Sequence, residues 1–315
     1  MEIQQSSLYA SYITSLGWHV ESVDGSQLFI KQFPLYGGFA KLQRVTRLPT
    51  IHDLLPLLSK YRVRKLSVEP DSAIPQKKFS RWLTELSPHI SLVTTPYIPT
   101  KTIRVDLEGP EKEIFMRFSE AKRRAVRRAV KNQITILPSD HIEDLIHIKN
   151  RSAGFLGFIT TTGINKLWPI FAPEHAAVLL AYSPNMSSRP PSRDPSSNRF
   201  LNWIPGHLPA RLRQAMRAGA RNDNHVVGGI LLLFWDTIAY YWIAGATREG
   251  KKLFAPTLLV WEAIKLAKKR EAKQFDFVGV WDERLPAENH NWKGFTKFKE
   301  GFGGTELYYP IFRSK

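Results

Sequence analysis

The first half of the chain alternates between two hydrophobic periods. Residues 19–23, 26–33 and 37–45 have the short alternating pattern of strands, separated by Asp-Gly and Tyr-Gly-Gly turn signals. From 51 to 61 the apolar residues recur at helical spacing, and Thr50 before them is a typical helix N-cap. The pattern therefore predicts three successive strands followed by a helix.

The same patterns continue to the end of the chain. The other elements predicted in the first half are strands at 64–70, 91–99, 101–107 and 133–137 and helices at 75–87 and 110–131. In the second half they are helices at 141–155, 163–171 and 254–270 and strands at 176–182, 226–235, 237–246 and 273–280, with a hairpin turn near Asp236–Thr237. Helices and strands mixed in this way predict an α+β fold, divided into domains 1–140 and 141–304.

A segment rich in Ser, Pro and Arg separates two of the predicted strands of the second half. It spans residues 184–224 and lacks periodic apolar residues over most of its length. A hairpin needs only a few residues to turn, so the segment is predicted to be an insertion. Two interpretations stay open: a tolerated surface loop, or a basic arm that gathers RNA or anionic lipid.

The charge balance points to an anionic partner. Lys and Arg total 45 against 28 Asp and Glu, a formal net charge of +17. This excess favours nucleic acid, nucleotide phosphates or an acidic membrane surface, although a generally basic proteome would explain it too. No cysteine is present, which excludes disulfides and cysteine-based zinc sites, and no histidine spacing suggests a metal ligand. We therefore expect no metal and no cofactor.

Hydropathy argues against a membrane span. The longest apolar run, residues 226–235, is far short of the ~20 residues that a spanning helix requires. The N-terminus shows no basic region followed by an apolar core. The expected location is the cytoplasm, with a peripheral contact at the inner face of the membrane left open.

The most concentrated charge lies in SEAKRRAVRRAVKN, residues 119–132. On a helix, Arg123, Arg124, Arg127 and Arg128 crowd around a narrow apolar seam with only Glu120 to offset them. Like charges at this spacing destabilise a helix by ~0.2–0.5 kcal/mol per pair unless an anion is bound. Because the guanidinium fork matches phosphate oxygens, these arginines are candidates for phosphate binding. The alternative is an ordinary solvated helix face.

One lysine is predicted to point inward. If residues 291–302 form a helix, Trp292, Phe295, Phe298 and Phe302 share one face, and Lys299 falls on that face. An ammonium group held among aromatic rings, where water is scarce, is a candidate for stabilising a developing negative charge. The alternative is a lysine whose stem covers apolar surface while its charge stays in water.

Several of these segments together resemble the Fem family (FemA, FemB and FemX) of peptidoglycan-bridge aminoacyltransferases. They are RRAVRRAVK after the strand IRVDL, PTLLVWEAIKLAKKREAKQFDFVGV, GFTKFKEGFGG and, at the start, QQSSLYASYITSLGWHV. The resemblance covers most of the chain except the insertion. It implies two domains of GNAT acyltransferase type, with a C-terminal tail, residues 305–315, packing back on the first. Without sustained heptads, the chain resembles the compact form that lacks a coiled-coil arm.

The resemblance also implies a reaction and its participants. An amine of a peptidoglycan precursor, lipid-linked or UDP-linked, would attack the ester of an aminoacyl-tRNA. Lys299 matches the lysine of the family's Phe-Lys motif, which lies against the reacting ester. Asp276 would orient the site or bond a nearby turn. The family's precursor-binding cations have no clear match, since the regions near Ser11 and residues 160–162 offer hydroxyls instead.

Large aromatic residues complete the predicted site. Tyr241, Phe254, Trp292 and Phe302 are candidate walls of a substrate pocket, although such residues are more often plain core.

Two other functions remain open at this point. A CoA-dependent N-acyltransferase would need a glycine-rich loop before the helix at 254–270, but Lys252, Phe254 and Pro256 occupy that place. A non-enzymatic RNA-binding protein would explain the charge and the arginine-rich helix. It would not explain a lysine on an aromatic helix face.

Overall fold

The computed structural model describes residues 1–152, 161–184 and 225–312, which form two sheets with helices packed on their faces. The strands are His19–Val23 (β1), Ser26–Phe33 (β2), Gly37–Gln43 (β3), Val63–Glu69 (β4), Ser91–Leu92 (β5), Lys101–Asp106 (β6), Thr135–Ser139 (β7), Ala176–Ser183 (β8), His225–Trp235 (β9), Ile238–Ala246 (β10), Gln274–Asp276 (β11) and Thr305–Tyr308 (β12). The helices are Ser7–Ser15 (α1), Ile51–Lys60 (α2), Gln76–Leu86 (α3), Glu111–Arg117 (α4), Glu120–Lys131 (α5), Ile142–Ser152 (α6), Ile164–Phe171 (α7), Arg248–Lys252 (α8), Ala255–Lys269 (α9) and Lys293–Glu300 (α10).

The first sheet has the order β1-β2-β3-β4-β5, with β1 to β3 antiparallel and β3 to β5 parallel. Helices α2 and α3 cover one face because their apolar stripes, including Leu54 and Phe79, pack on Ile30, Leu42 and Leu66. Thr50 caps α2 as predicted, accepting a hydrogen bond from the backbone N–H of Asp53. This half of the fold follows the local sequence pattern closely.

The second sheet has the order β12-β6-β11-β10-β9-β8-β7 and is antiparallel except where β10 runs parallel to β11. Helices α5 and α9 cover one face, with Val126 and Leu259 in that core. Helices α6 and α7 cover the other face, where Leu231 joins a cluster that also includes Phe29 of β2. One core therefore contains residues of both sheets.

The strand pairing divides the chain before β6, at residues 93–100, and not at residue 140. Strands β6 and β7, which the prediction placed in the first domain, both pair within the second sheet. The C-terminal tail is shared: β12 pairs with β6, whereas Ile311 exchanges hydrogen bonds with the Gln76 side chain of α3 at 3.0 and 2.8 Å. Periodicity predicts where strands lie but not which strands they pair with, so it gave no means of placing the boundary.

Four predicted elements differ clearly in extent, and one of them is the strand predicted at 91–99, which is reduced to Ser91–Leu92 (β5). The helix predicted over 110–131 is broken, because Phe118 is extended and Ser119 begins a new helix as the N-cap of α5. The strand at 273–280 ends at Asp276, and the helix at 291–302 is reduced to α10 after a 3₁₀ turn at His290–Trp292. The predicted insertion at 184–224 lies, except for residue 184, outside the described residues.

The helices in the described ranges are short. The longest helix there is α9, with 15 residues. None of the helices in these ranges combines the length and the apolar character needed to cross a bilayer.

Candidate active site

A cleft of about 290 Å³ lies between the two sheets. It is lined by residues of the N-terminal segment, of α1, of the first sheet's connection to β6, and of β10 and β11: Glu2, Gln4, Tyr9, Tyr12, Arg44, Ile98, Pro99, Thr162, Ile164, Tyr240, Trp242, Ile243, Asp276, Val278 and Tyr309. Of these fifteen described residues, five are aromatic and three carry charged side chains. The cleft forms only when both sheets are in place.

The carboxylate of Asp276 is held on three sides at the end of β11. It accepts hydrogen bonds from Thr102 Oγ1 at 2.6 Å, from Arg104 Nε at 2.7 Å and from the backbone N–H of Val278 at 2.6 Å. Arg104 continues the network to the carboxylate of Glu2. A buried carboxylate is stable only when it is paired and hydrogen-bonded in this way. The arrangement favours the structural role predicted for Asp276.

A strained turn follows Asp276. Val278 has a φ of +67°, which a β-branched residue rarely adopts, and Gly279 N donates to Phe277 O at 2.8 Å. This bond between residues two apart closes a γ-turn over Val278, a rare and strained form when the central φ is positive. Such strain persists only where the surroundings fix the backbone. The side chain of Val278 lines the cleft, so the strain is stored at its wall.

Lys299 also holds that turn, through its side-chain ammonium group. It is 8% exposed, and its Nζ donates to Phe277 O at 2.8 Å and to Gly279 O at 2.5 Å. An ammonium group has three donors. The two carbonyl bonds leave one N–H of Lys299 with no acceptor among the described residues.

Aromatic rings lie around this ammonium group, but Phe295 is the one among them that the helix pattern predicted; Phe298 and Phe302 lie against Lys122 instead. Its Nζ lies 4.8 Å from the ring centre of Phe295, 5.5 Å from that of Tyr241 and 6.0 Å from that of Phe277. Burial lowers the pKa of Lys299 to about 7, against the opposing charge of Asp276. The inward direction is therefore seen in the structure, whereas the catalytic role stays a prediction.

The predicted pocket walls divide into two groups. Tyr241 lies beside Lys299, and burial raises its pKa. Trp292 is half-buried, stacks on Phe295 and lies 3.3 Å from the position a Cβ would take on Gly279. Phe302 is fully buried against Phe118 and Phe277, so it belongs to the core and not to an accessible wall.

Phe254 lies elsewhere, at the start of α9. It has a φ of +64° and packs beneath the guanidinium of Arg128 at 5.6 Å. Pro256 supplies no N–H, and the N–H groups of Thr257 and Leu258 already donate to Phe254 O at 3.1 and 3.3 Å. The start of α9 therefore offers few N–H groups to a pyrophosphate, and the exclusion of CoA as donor stays a prediction.

The four arginines of α5 have different surroundings. Arg123 Nη1 donates to Met116 O and Phe118 O at 2.9 and 2.5 Å, so this side chain ties α4 to α5. Arg124 forms an exposed ion pair with Glu120 at 3.0 Å. Arg127 and Arg128 are exposed and have no acidic partner among the described residues. They are the members of the set that remain available for phosphate.

Sequence reasoning missed two cations. Lys122 Nζ lies 3.6 Å from the ring centre of Phe298 and 5.0 Å from that of Phe302, and burial lowers its pKa to about 8. The spacing of these rings along one face of α10 predicts an aromatic surface but not which distant cation packs on it. Arg44, the one cation among the described residues lining the cleft, stacks 3.3 Å from the ring centre of Tyr309. No local pattern marks it.

The two hydroxyl-bearing regions noted in the sequence lie in different surroundings. Ser11 lies on the exposed side of α1, where its Oγ donates to Ser7 O at 3.0 Å. Thr162 lines the cleft, whereas residue 160 lies outside the described ranges. A cation pair for a precursor diphosphate is not found at these positions.

Comparisons with known proteins agree with the predicted fold. The structure of FemX matches with a TM-score of 0.65 and 17% identity over 98% of this chain and 90% of that one. The C-terminal domain of a putative lysylphosphatidylglycerol synthetase from Agrobacterium fabrum matches with a TM-score of 0.52 and 12% identity, over 98% and 87% of the two chains. A tandem GNAT protein from the clavulanic acid biosynthesis pathway, at 9% identity, gives a TM-score of 0.46 over 90% and 77%. The predicted α+β fold with mixed sheets flanked by helices is confirmed.

The family comparison concerns the second half of the chain. Residues 205–308 match the model of the FemAB family. No curated protein sequence matches the chain. The FemAB match contains β11, α10 and Lys299, so it covers two of the four segments on which the resemblance was noted, residues 256–280 and 294–304. The predicted likeness to this family is thus confirmed over residues 205–308, and the likeness to FemX concerns the fold.

Proposed function

We propose that this protein is an aminoacyltransferase that moves an aminoacyl group from an aminoacyl-tRNA ester to an amine of a peptidoglycan precursor. The FemAB match and the FemX-like fold support a transferase. The donor and the acceptor rest on the family resemblance. The observation that carries the proposal is the buried Lys299 ammonium, which has one N–H left for a ligand.

The proposed reaction requires the protein mainly to position the two substrates and to stabilise the negative charge that develops. The acceptor nitrogen attacks the ester carbonyl carbon, a C–N bond forms, and negative charge develops on the carbonyl oxygen. The free N–H of Lys299 would donate to that oxygen. As the C–O bond to the ribose breaks, the proton of the attacking amine goes to the leaving ribose oxygen, giving an amide and free tRNA. A donor placed where charge develops typically contributes ~10²–10³ in rate.

The two sides of the γ-turn suggest how the substrates meet. Val278 faces the cleft, and the carbonyls before and after it hold Lys299. Lys299 is not among the residues that line the cleft. In this proposal the acceptor occupies the cleft and the ester approaches from the α10 side. The edge formed by Pro99, Gly279 and Trp292 would be where they come together.

Transfer can be measured directly. Purified protein is incubated with mixed charged tRNAs and with lipid-linked or UDP-linked precursor, and the mass shift of the precursor is recorded. Lys299→Met is expected to lower the transfer rate by ~10²-fold or more while tRNA affinity is kept. The matched control is Lys297→Met, because Lys297 is exposed on the same helix.

The outcomes separate the three functions. Transfer lost in Lys299→Met but kept in Lys297→Met supports the proposal. Saturable CoA binding with acyl transfer from CoA would assign the protein to the CoA-dependent class. Tight tRNA binding with no transfer from any charged tRNA would leave an RNA-binding protein without this activity.

A further inference from the structure

The hairpin between β2 and β3 ends in an exposed apolar tip. Phe33, Leu35 and Tyr36 are 48%, 96% and 77% exposed, and Pro34 between them is exposed too. We call residues 33–36 the tip. Three of the eight exposed large hydrophobic residues in the described ranges lie in this four-residue turn. Clustered exposed apolar residues mark an interaction site more often than single ones do.

Turn chemistry does not account for these residues. Leu35 has a φ of +69°, a conformation that Gly, Asn and Asp adopt at much lower cost. Tyr36 N donates to Phe33 O at 3.3 Å, and the Leu35 side chain is almost fully in water. A leucine side chain that is exposed and sits on a strained backbone contributes nothing to the stability of the isolated fold. Fold stability therefore does not explain why this position carries leucine.

Basic residues of one neighbouring segment flank the tip. The α2–β4 connection runs beside it, because Gly38 N donates to Arg62 O at 2.8 Å. The side chain of Arg64 comes within 3.1 Å of the position a Cβ would take on Gly37. Arg62, Arg64 and Lys65 are exposed, and residues 31–39 and 60–65 contain no Asp or Glu. Nearby Lys60 is already paired with Glu21, at 2.8 Å.

We propose that this tip docks the protein on an anionic lipid bilayer. Phe33, Leu35 and Tyr36 enter the boundary between headgroups and acyl chains, while Arg62 and Arg64 contact lipid phosphates. An exposed apolar tip flanked by cations fits a fluid anionic surface better than a preformed protein groove. A tyrosine suits that depth because its ring is apolar and its hydroxyl stays hydrated.

The docking geometry also sets the orientation of the cleft. Strand β3 runs from Gly37 beside the tip to Gln43, next to Arg44 in the cleft wall. Six residue steps at ~3.3 Å put the cleft end of this strand about 20 Å from the tip. The cleft would thus lie above the headgroups and outside the bilayer. The inference does not rest on the proposed transfer reaction and can be tested without it.

Vesicle binding by the full chain tests the inference. Sedimentation is compared with vesicles of phosphatidylcholine alone and of phosphatidylcholine and phosphatidylglycerol in equal parts. Replacing Phe33, Leu35 and Tyr36 together by Ser is expected to weaken binding to the anionic vesicles more than tenfold. Replacing Arg62 and Arg64 by Gln should weaken it roughly fivefold per charge.

Matched controls separate the tip from the general basicity of the chain. Met116→Ser removes an apolar side chain that is 56% exposed outside the tip. Lys77→Gln with Lys78→Gln removes two exposed charges on α3. Both controls should bind like the wild type. Because the chain has no cysteine, Leu35→Cys and Met116→Cys each accept a single environment-sensitive label. Only the label at position 35 should shift to shorter wavelength with anionic vesicles.

Three results would overturn the inference. One is absence of binding to the anionic vesicles. The second is wild-type binding by the tip variant, which would assign the affinity to other basic surfaces. The third is a shift of the label at position 35 that depends on protein concentration and needs no lipid, which would make a second copy of the chain the occupant.

Discussion

At the scale of single residues, Asp276 and Lys299 fix the same γ-turn by different atoms. The carboxylate holds the N–H of Val278, and the ammonium holds the carbonyls of Phe277 and Gly279. A lysine that restrains a strained turn has a positional role even if it never touches substrate. The two roles make different predictions for pH and for substitution.

The pH dependence of transfer tests the charged form of Lys299. Its pKa is lowered to about 7 by burial, so the group loses its proton as pH rises through that value. If the ammonium stabilises the oxyanion, kcat/KM should fall on the alkaline side, while the attacking amine gives a rise on the acidic side. In Lys299→Arg the fall in kcat/KM should occur at a higher pH, because arginine keeps its positive charge.

A rate that rises without a fall above neutral pH would contradict this role. It would indicate that the neutral amine of Lys299 is the active form, or that its charge is not used. Unchanged profiles for wild type and Lys299→Arg would leave only the positional role for this side chain.

Asp276→Asn should reduce stability. The amide keeps the shape but removes the charge that balances Arg104, leaving a half-buried cation less well compensated. Removing one partner of a buried pair typically costs ~3–5 kcal/mol. Urea unfolding should show a loss of about 3 kcal/mol, against less than about 1 kcal/mol for Asp106→Asn, whose ion pair with Arg117 is exposed. A fully stable variant without transfer activity would instead point to a catalytic role for Asp276.

At the scale of elements, α5 is built as a connector on one side and an open cationic surface on the other. Val126 and Ala129 are buried against the second sheet, and Arg123 is bonded to the end of α4. Two other apolar residues of this helix, Ala121 and Val130, are exposed. The surface left for an anion is narrower than the sequence suggested.

Replacing Arg127 and Arg128 by Gln should weaken tRNA binding and flatten its salt dependence. Removal of one phosphate-binding charge is expected to reduce the slope of log K against log salt by ~0.7–0.9, because fewer counterions are released on binding. Filter binding at several salt concentrations measures the slope. The charge-matched control is Lys77→Gln with Lys78→Gln on α3, and equal slopes for both double variants would refute a specific role of α5.

At the scale of the whole molecule, the N-terminal segment and α1 join the two sheets. Gln5 Nε2 donates to Gln43 O of the first sheet at 2.6 Å, and Ile3 N donates to Tyr240 Oη of the second at 3.3 Å. Phe29 of β2 lies in the cluster with Leu231 of β9. The cleft wall depends on these contacts, so the site is a product of both halves.

Phe29→Ala should therefore destabilise both sheets together. Phe29 is 1% exposed, and such a truncation typically costs ~3–5 kcal/mol. Hydrogen exchange should speed up in α3 as well as in α9. Phe33→Ala on the same strand is the control, because Phe33 is 48% exposed and should change stability by less than about 1 kcal/mol. Faster exchange in α3 alone would show that the sheets unfold independently.

The sequence by itself determined the local elements and the direction of one side chain. Strand and helix periods placed most elements of the described residues, and helical spacing put Lys299 on the inner face of α10. Both depend on neighbours within a few residues, which is where periodicity carries information. The arginine-rich helix was located in the same way.

Tertiary structure alone decided the site around those elements. The acceptors of Lys299 come from a turn 20 and 22 residues away, and the side-chain partners of Asp276 come from β6, more than 170 residues away. Two other features also depend on contacts between residues distant in sequence. They are the pairing of β6 and β7 within the second sheet and the position of Arg44 in the cleft wall. Strand pairing and cleft walls join residues distant in sequence, and no local period records which distant residues meet.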